Sequence, residues 1–218
     1  MLDLKILMII AFSIFTIATF INLTLIYYFA KNKTLKYLLG FNIGFLFGLL
    51  FMILRNSIPD FLTIIVGNTL LTTGYVFIYM AAKGLLKQET LWHFRYLIPV
   101  FVVFIGLVFF TYGYYDVGMR IVIFSLFCVI YGFALGLLFW KHAYGKFLLL
   151  YRLSALLSFA SSGVFLLRAF SASTFEIPVS YFQVLVFPYI YLIVMVILLN
   201  ILFSLQILHN YKLEKTFK

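Results

Sequence analysis

Charge is scarce in this 218-residue chain: Asp, Glu, Lys and Arg together make up 10% of it, against about 25% in a soluble domain. Hydrophobic residues make up 66%, and a water-soluble globule has nowhere to hide that much apolar surface. The solvent is lipid. Acids are scarcer still, six against sixteen bases, and no pair of carboxylates falls at membrane depth, where a proton-driven pump or membrane hydrolase would use one. The single cysteine, Cys128, excludes an intrachain disulfide and reads as a small packing residue. Three histidines, His93, His142 and His209, fall near span ends without ligand-type spacing, so no metal site and no cofactor is expected. No Ser-His-Asp grouping and no phosphate-cradling glycine loop is present, and the last span lacks the lysine that a retinal Schiff base would need. The chain reads as a non-enzyme.

What is present is a series of long uncharged runs, and the gaps between charges mark them. At about 20 apolar residues per crossing, they predict an all-α, seven-transmembrane helix bundle with spans of about 6–30, 37–55, 60–83, 96–115, 120–141, 147–171 and 179–207. These spans occupy a domain over residues 1–211, followed by a short basic tail over 208–218. The first run is too long for the core of a signal peptide, and no small-residue cleavage pattern follows it, so it reads as a retained helix.

With the N-terminus outside, twelve of the sixteen bases, from Lys31, Lys33 and Lys36 to Lys212, Lys215 and Lys218, fall on the cytoplasmic side. There only Glu89 and Glu214 oppose them, so the inner face carries the whole +10. The outer face, with Lys5, Arg55, Arg120 and Arg168 against Asp3, Asp60, Asp116 and Glu176, is neutral. This is the positive-inside distribution, and it predicts an N-out, C-in protein of the bacterial cytoplasmic (inner) membrane. The basic excess is assigned to insertion and contact with anionic membrane lipids, not to nucleic acid.

Small residues recur at helical spacing. Gly40, Gly44 and Gly48 line one face of span two, Gly132 and Gly136 one face of span five, and Ser158 belongs to a serine stripe with Ser154, Ser161 and Ser162 in span six. Such faces let neighbouring backbones approach closely. Pro188, inside span seven, removes a backbone donor and is a candidate hinge. Trp92, Trp140, Tyr27, Tyr28, Tyr37, Tyr112, Tyr114 and Tyr115 fall near span ends as interfacial anchors.

The polar residues that stand out are few. Only 15 uncharged residues separate Arg152 from Arg168, about 22 Å of helix, less than the roughly 30 Å hydrocarbon core. One of the two is therefore partly submerged or snorkels. Arg55 ends span two, Asp60 opens span three, and Asn68 follows two turns into it, with Thr72 and Tyr75 on the same face. Arg55, Asp60, Asn68 and Arg168 are the candidate ligand-binding residues of an outward-facing cavity. The guanidinium groups would bind an anionic or carbonyl ligand or pair with neighbouring acids. Asn42 and Asn200 are expected to meet Asn68 in an interhelical network.

The stretch Phe47–Leu86 carries Leu54-Arg55 at the end of span two, a Pro59-Asp60 loop, then Gly67-Asn68 and Gly74-Tyr75, and Leu167-Arg168-Ala169 ends span six. It resembles the multi-span N-terminal sensory region of bacterial GGDEF diguanylate cyclases and of some membrane histidine kinases. The resemblance implies a receptor bundle whose last helix leads into a cytoplasmic output domain. No GGDEF motif or phosphoacceptor histidine box occurs here, so the expectation is a stand-alone sensor with a partner protein, or the sensory portion of a longer one. Ile201, Leu205 and Leu208 share a face of the last helix and could pair it with a second copy in a homodimer. A small ligand or lipid would bind in the bundle. The alternatives are a small transporter or permease subunit and a membrane scaffold without ligand.

Overall fold

The computed structural model describes residues 4–86, 88, 94–143, 145–174 and 181–216; for 4, 94, 174, 181–189, 191 and 210–216 it describes the backbone alone. Seven α-helices follow one another: α1 (Leu4–Tyr28), α2 (Lys33–Ile53), α3 (Gly67–Leu85), α4 (Ile98–Val108), α5 (Val117–Lys141), α6 (Leu148–Thr174) and α7 (Tyr181–Thr216). Two π-helical segments adjoin them, Phe61–Val66 leading into α3 and Phe109–Gly113 continuing α4. Short connections alternate the helix directions. One end of the bundle therefore gathers Arg55, Asp60 and Asp116, the Arg55 end, and the other gathers Lys83, Arg95 and Lys146, the Lys83 end.

Local chemistry sets the helix limits. Asn32 caps α2, its side-chain oxygen accepting from the backbone N–H groups of Thr34 at 2.9 Å and Leu35 at 3.3 Å. Asp116 caps α5, accepting from Met119 N at 2.9 Å, so two of the donors left open at the start of α2 and one at the start of α5 are used. After α2 the chain reverses through Asn56, whose φ of 73° is a left-handed conformation that asparagine tolerates better than most residues.

Among the described residues six helices are long and apolar enough to cross a membrane, and the apolar segment Ile98–Gly113 is shorter. Of the seven expected spans, six are thus found at candidate length, and the fourth is a shorter apolar helix. Pro99 sits in the first turn of α4, where its missing N–H is harmless, and regular structure stops at Gly113 before the Asp116 cap. The uncharged run 96–115 is thus longer than the helix it contains. At the other extreme α7 is 36 residues long, roughly 54 Å at 1.5 Å per residue, and it stays helical well into the basic tail. It also continues as helix through Pro188.

The outside of the bundle is apolar. Ile17, Phe20, Phe101, Leu149, Leu167 and Phe170 are each more than 60% exposed, and contiguous surfaces of that kind are normal only where lipid is the solvent. In lipid there is little hydrophobic drive between helices, so association depends on close packing and interhelical hydrogen bonds. Close packing is most extensive in two pairs, α2 with α3 and α5 with α6. A chain of ring contacts crosses the interior from α1 to α5: Phe15–Phe45 stacked at 5.1 Å, Phe45–Tyr75 at 5.3 Å, Tyr75–Phe127 at 6.5 Å and Phe127–Tyr131 at 4.6 Å. Helix α7 packs less extensively, against α1 and α6, and the Tyr151 hydroxyl of α6 donates to Gln206 Oε1 of α7.

Candidate functional site

Helix α3 does not begin as an ordinary α-helix. Over Phe61–Val66 it is π-helical, a rare geometry that inserts an extra residue per turn and recurs at functional sites. Asn68 stands two residues beyond its end, its Nδ2 donating to Ile64 O at 2.5 Å. Three threonines on the same helix turn their hydroxyls back to the backbone, Thr69 to Ile65 O, and both Thr72 and Thr73 to Thr69 O. Polar side chains at membrane depth are satisfied in this way within one helix.

Asn68 opens onto a cavity of about 50 Å³ between the helices, lined by Phe45, Leu49 and Met52 of α2, Leu71 and Tyr75 of α3, Phe124 of α5, Phe165 and Arg168 of α6 and Leu192 of α7. Its walls are apolar except at Asn68, Tyr75 and Arg168. At roughly 10–15 Å³ per water, the volume holds about three to five waters or a ligand of a few heavy atoms. Arg168 is the charged residue of the lining, half-buried and six residues from the end of α6. Cys128 of α5 is fully buried.

The other two proposed ligand-binding residues lie elsewhere. Arg55 and Asp60 are exposed at the Arg55 end and take no part in the cavity lining. Arg120, buried in the first turn of α5, has its guanidinium 4.9 Å from the Tyr115 ring centroid, and its Nη1 donates to Thr111 Oγ1 at 3.5 Å.

The asparagine network forms with different members from those expected. Asn42 and Asn200 meet, but their companion is Asn22 of α1, not Asn68. Asn68 faces the cavity from the Arg55 half of α3, whereas Asn22 and Asn42 lie in the halves of α1 and α2 nearer the Lys83 end. Asn22 Nδ2 donates to Asn200 Oδ1 at 3.0 Å and Asn42 Nδ2 to the same oxygen at 3.2 Å, while Asn200 Nδ2 donates to Val196 O. Asn22 was missed by sequence reasoning; the signal available was a lone amide six residues inside the end of an otherwise apolar helix.

The small residues lie at the two extensive helix contacts. A Cβ on Gly44 would stand 2.9 Å from Leu70 O, and one on Gly48 3.0 Å from Gly67 O and closer still to the Leu71 side chain; one on Gly40 would meet the Phe77 ring. Gly132 faces Ser162 and the carbonyl of Ser158, and Gly136 faces Phe159. Ser162 Oγ also donates to Val129 O across the α5–α6 contact at 3.3 Å. Of the histidines, His142 pairs with Gln88 at 2.9 Å and His209 packs edge-on to Phe147, while His93 lies outside the described residues, as do Trp92 and Glu176. Among the described residues no group of His, Cys, Asp and Glu is arranged to hold a metal ion.

Helix number, length and apolarity define a multi-pass, all-α membrane protein with a small cavity between its helices. Comparison with protein-family models, with curated proteins and with solved structures yields no match.

Proposed function

We propose that this chain is a membrane sensory module of the bacterial inner membrane, N-out and C-in. A small anionic or carbonyl ligand in the Asn68–Arg168 cavity would bias the position of α7, and α7 would relay that bias to a cytoplasmic output domain or partner. The observation that carries the reading is that Asn68 and Arg168, 100 positions apart, line one cavity that also includes Leu192 of α7. An arginine fork suits a carboxylate or carbonyl group, and an amide beside it adds a directional hydrogen bond. A ligand filling the space between five helices favours whichever α7 position closes around it, and its differential affinity sets the size of the shift. The resemblance of Phe47–Leu86 to sensory regions of diguanylate cyclases supports the same reading.

The test is thermal unfolding of the purified protein in lipid nanodiscs with acetate, propionate, butyrate and acetamide at millimolar concentration. A ligand at a hundredfold excess over Kd stabilises by about 2.7 kcal/mol, so at least one probe is expected to raise Tm in the wild type. The rise is expected to vanish in Asn68→Ala and Arg168→Gln and to persist in Arg55→Gln. No response to any probe, a response that survives Arg168→Gln, or uptake of the active probe into proteoliposomes would overturn the sensory reading.

A further inference from the structure

At the Lys83 end, remote from the cavity, three tyrosines of different elements build a socket around a lysine. Tyr131 of α5 donates its hydroxyl to Tyr96 O at 3.0 Å, which fixes the short 3-10 turn Phe94–Tyr96 against the bundle. Tyr79 of α3 packs between the other two, its ring centroid 6.1 Å from Tyr96 and 6.0 Å edge-on from Tyr131. Into this group Lys83, in the last turn of α3 and half-buried, projects its ammonium: Nζ donates to Tyr96 Oη at 3.1 Å and stands 6.0 Å and 5.6 Å from the Tyr79 and Tyr96 ring centroids. Arg95 brings its guanidinium to 5.3 Å from the Tyr96 ring centroid.

Two full positive charges are thus gathered on one phenol. Like charges held this close repel, and side-chain entropy would ordinarily spread them into water. Here the tyrosine framework holds both cations in one place. Lys83 supplies up to three donors and Arg95 five in a planar fork. That is a donor set suited to the tetrahedral oxygens of a phosphoryl group.

We propose that Lys83, Arg95 and Tyr96 form a binding site for a phosphoryl group at the Lys83 end of the bundle. The group is the headgroup phosphate of an anionic lipid or that of a soluble phosphate compound. The site spans α3, the 94–96 turn and α5, so an occupant ties these elements together. It is independent of the Asn68–Arg168 cavity and stands or falls separately from the sensory reading.

The test is native mass spectrometry of the full chain released from detergent containing equimolar phosphatidylglycerol and phosphatidylcholine, alongside thermal unfolding with and without inorganic phosphate. Retention of phosphatidylglycerol over phosphatidylcholine is expected in the wild type and is expected to fall at least fivefold in Lys83→Gln and in Arg95→Gln. Lys146→Gln, which removes an exposed base at the same end, and Glu89→Gln, which removes the acid closest in sequence to Arg95, are expected to retain the lipid. A rise in Tm with millimolar inorganic phosphate that depends on Lys83, without selective lipid retention, assigns the site to a soluble phosphate. Equal retention of both lipids together with no effect of phosphate would overturn the proposal. So would an equal loss in Lys146→Gln, because the attraction would then be the diffuse charge of that end and not this site. Circular dichroism of each variant confirms that the helices are intact, and Tyr96→Phe keeps the ring while removing the hydroxyl should a charge variant fail to fold.

Discussion

Asn42 of α2 donates a hydrogen bond to Asn200 of α7 at 3.2 Å, and both side chains are almost wholly withdrawn from the surface. Asn22 of α1 shares the same acceptor oxygen. One amide on α7 therefore fastens it to two other helices at a depth where a polar group has few alternatives.

Asn200→Leu removes both bonds and strands two donors. Interhelical hydrogen bonds in membranes average about 0.6 kcal/mol and reach about 1.7, so the combined loss is expected to be about 1–3 kcal/mol. Thermal unfolding in detergent measures it. Asn22→Ala and Asn42→Ala should each cost less than Asn200→Leu, because either leaves Asn200 with one partner.

Two glycine-to-alanine changes are expected to have opposite signs. Gly44→Ala places a Cβ 2.9 Å from the backbone oxygen of Leu70, which cannot swing away, whereas nothing lies within 4 Å of a Cβ at Gly163. Overpacking costs typically about 1–3 kcal/mol, and an unhindered alanine in a helix gains about 0.5–1 kcal/mol over glycine. Tm should fall for Gly44→Ala and rise for Gly163→Ala.

Leu192→Phe extends a side chain of α7 into the Asn68–Arg168 cavity. The void accepts part of the added ring, so the fold is expected to survive with a small change in Tm. The stabilisation by whichever small carboxylate or amide acts on the wild type should be lost. Parallel melting curves with and without that compound check both halves.

Tyr96 offers a pH readout. Burial raises the pKa of its hydroxyl, but the hydrogen bonds and charges of Lys83 and Arg95 outweigh this and hold it below the ordinary value of 10.0. A group whose folded pKa is depressed contributes stability that is present above the unfolded value and is lost as pH falls through the folded one. Tyr96 should therefore reach half-ionisation below pH 10.0, followed as the difference in tyrosinate absorbance between wild type and Tyr96→Phe. Lys83→Gln should move that titration upward.

Much of the architecture was legible in the sequence because lipid makes charge placement decisive. Lys36, Arg55, Asp60 and Lys83 bracket α2 and α3 to within a few residues. The glycines at 40, 44 and 48 mark the face that α3 meets, since only their spacing permits so close an approach. Composition could not show that the run 96–115 holds a helix of less than spanning length, because a loop of Tyr114 and Tyr115 is as uncharged as the helix before it. The π-helical start of α3 also leaves no mark in the residue types. Asn68 and Arg168 were candidates by depth alone. That they border one void, and that Arg55 and Asp60 do not, depends on how α2, α3, α5, α6 and α7 rotate about their axes, which periodicity does not specify. The Lys83–Tyr96–Arg95 grouping was hidden for a further reason: it relies on Tyr131, which sequence places far from all three.

The bonds from Asn22 and Asn42 to Asn200 join partners separated by 178 and 158 residues. At a synthesis rate of about 5–20 residues per second, the two earlier amides wait on the order of 8–35 s inside the bilayer before their acceptor emerges. The first and second helices consequently reach the membrane carrying amide donors whose acceptor lies on α7.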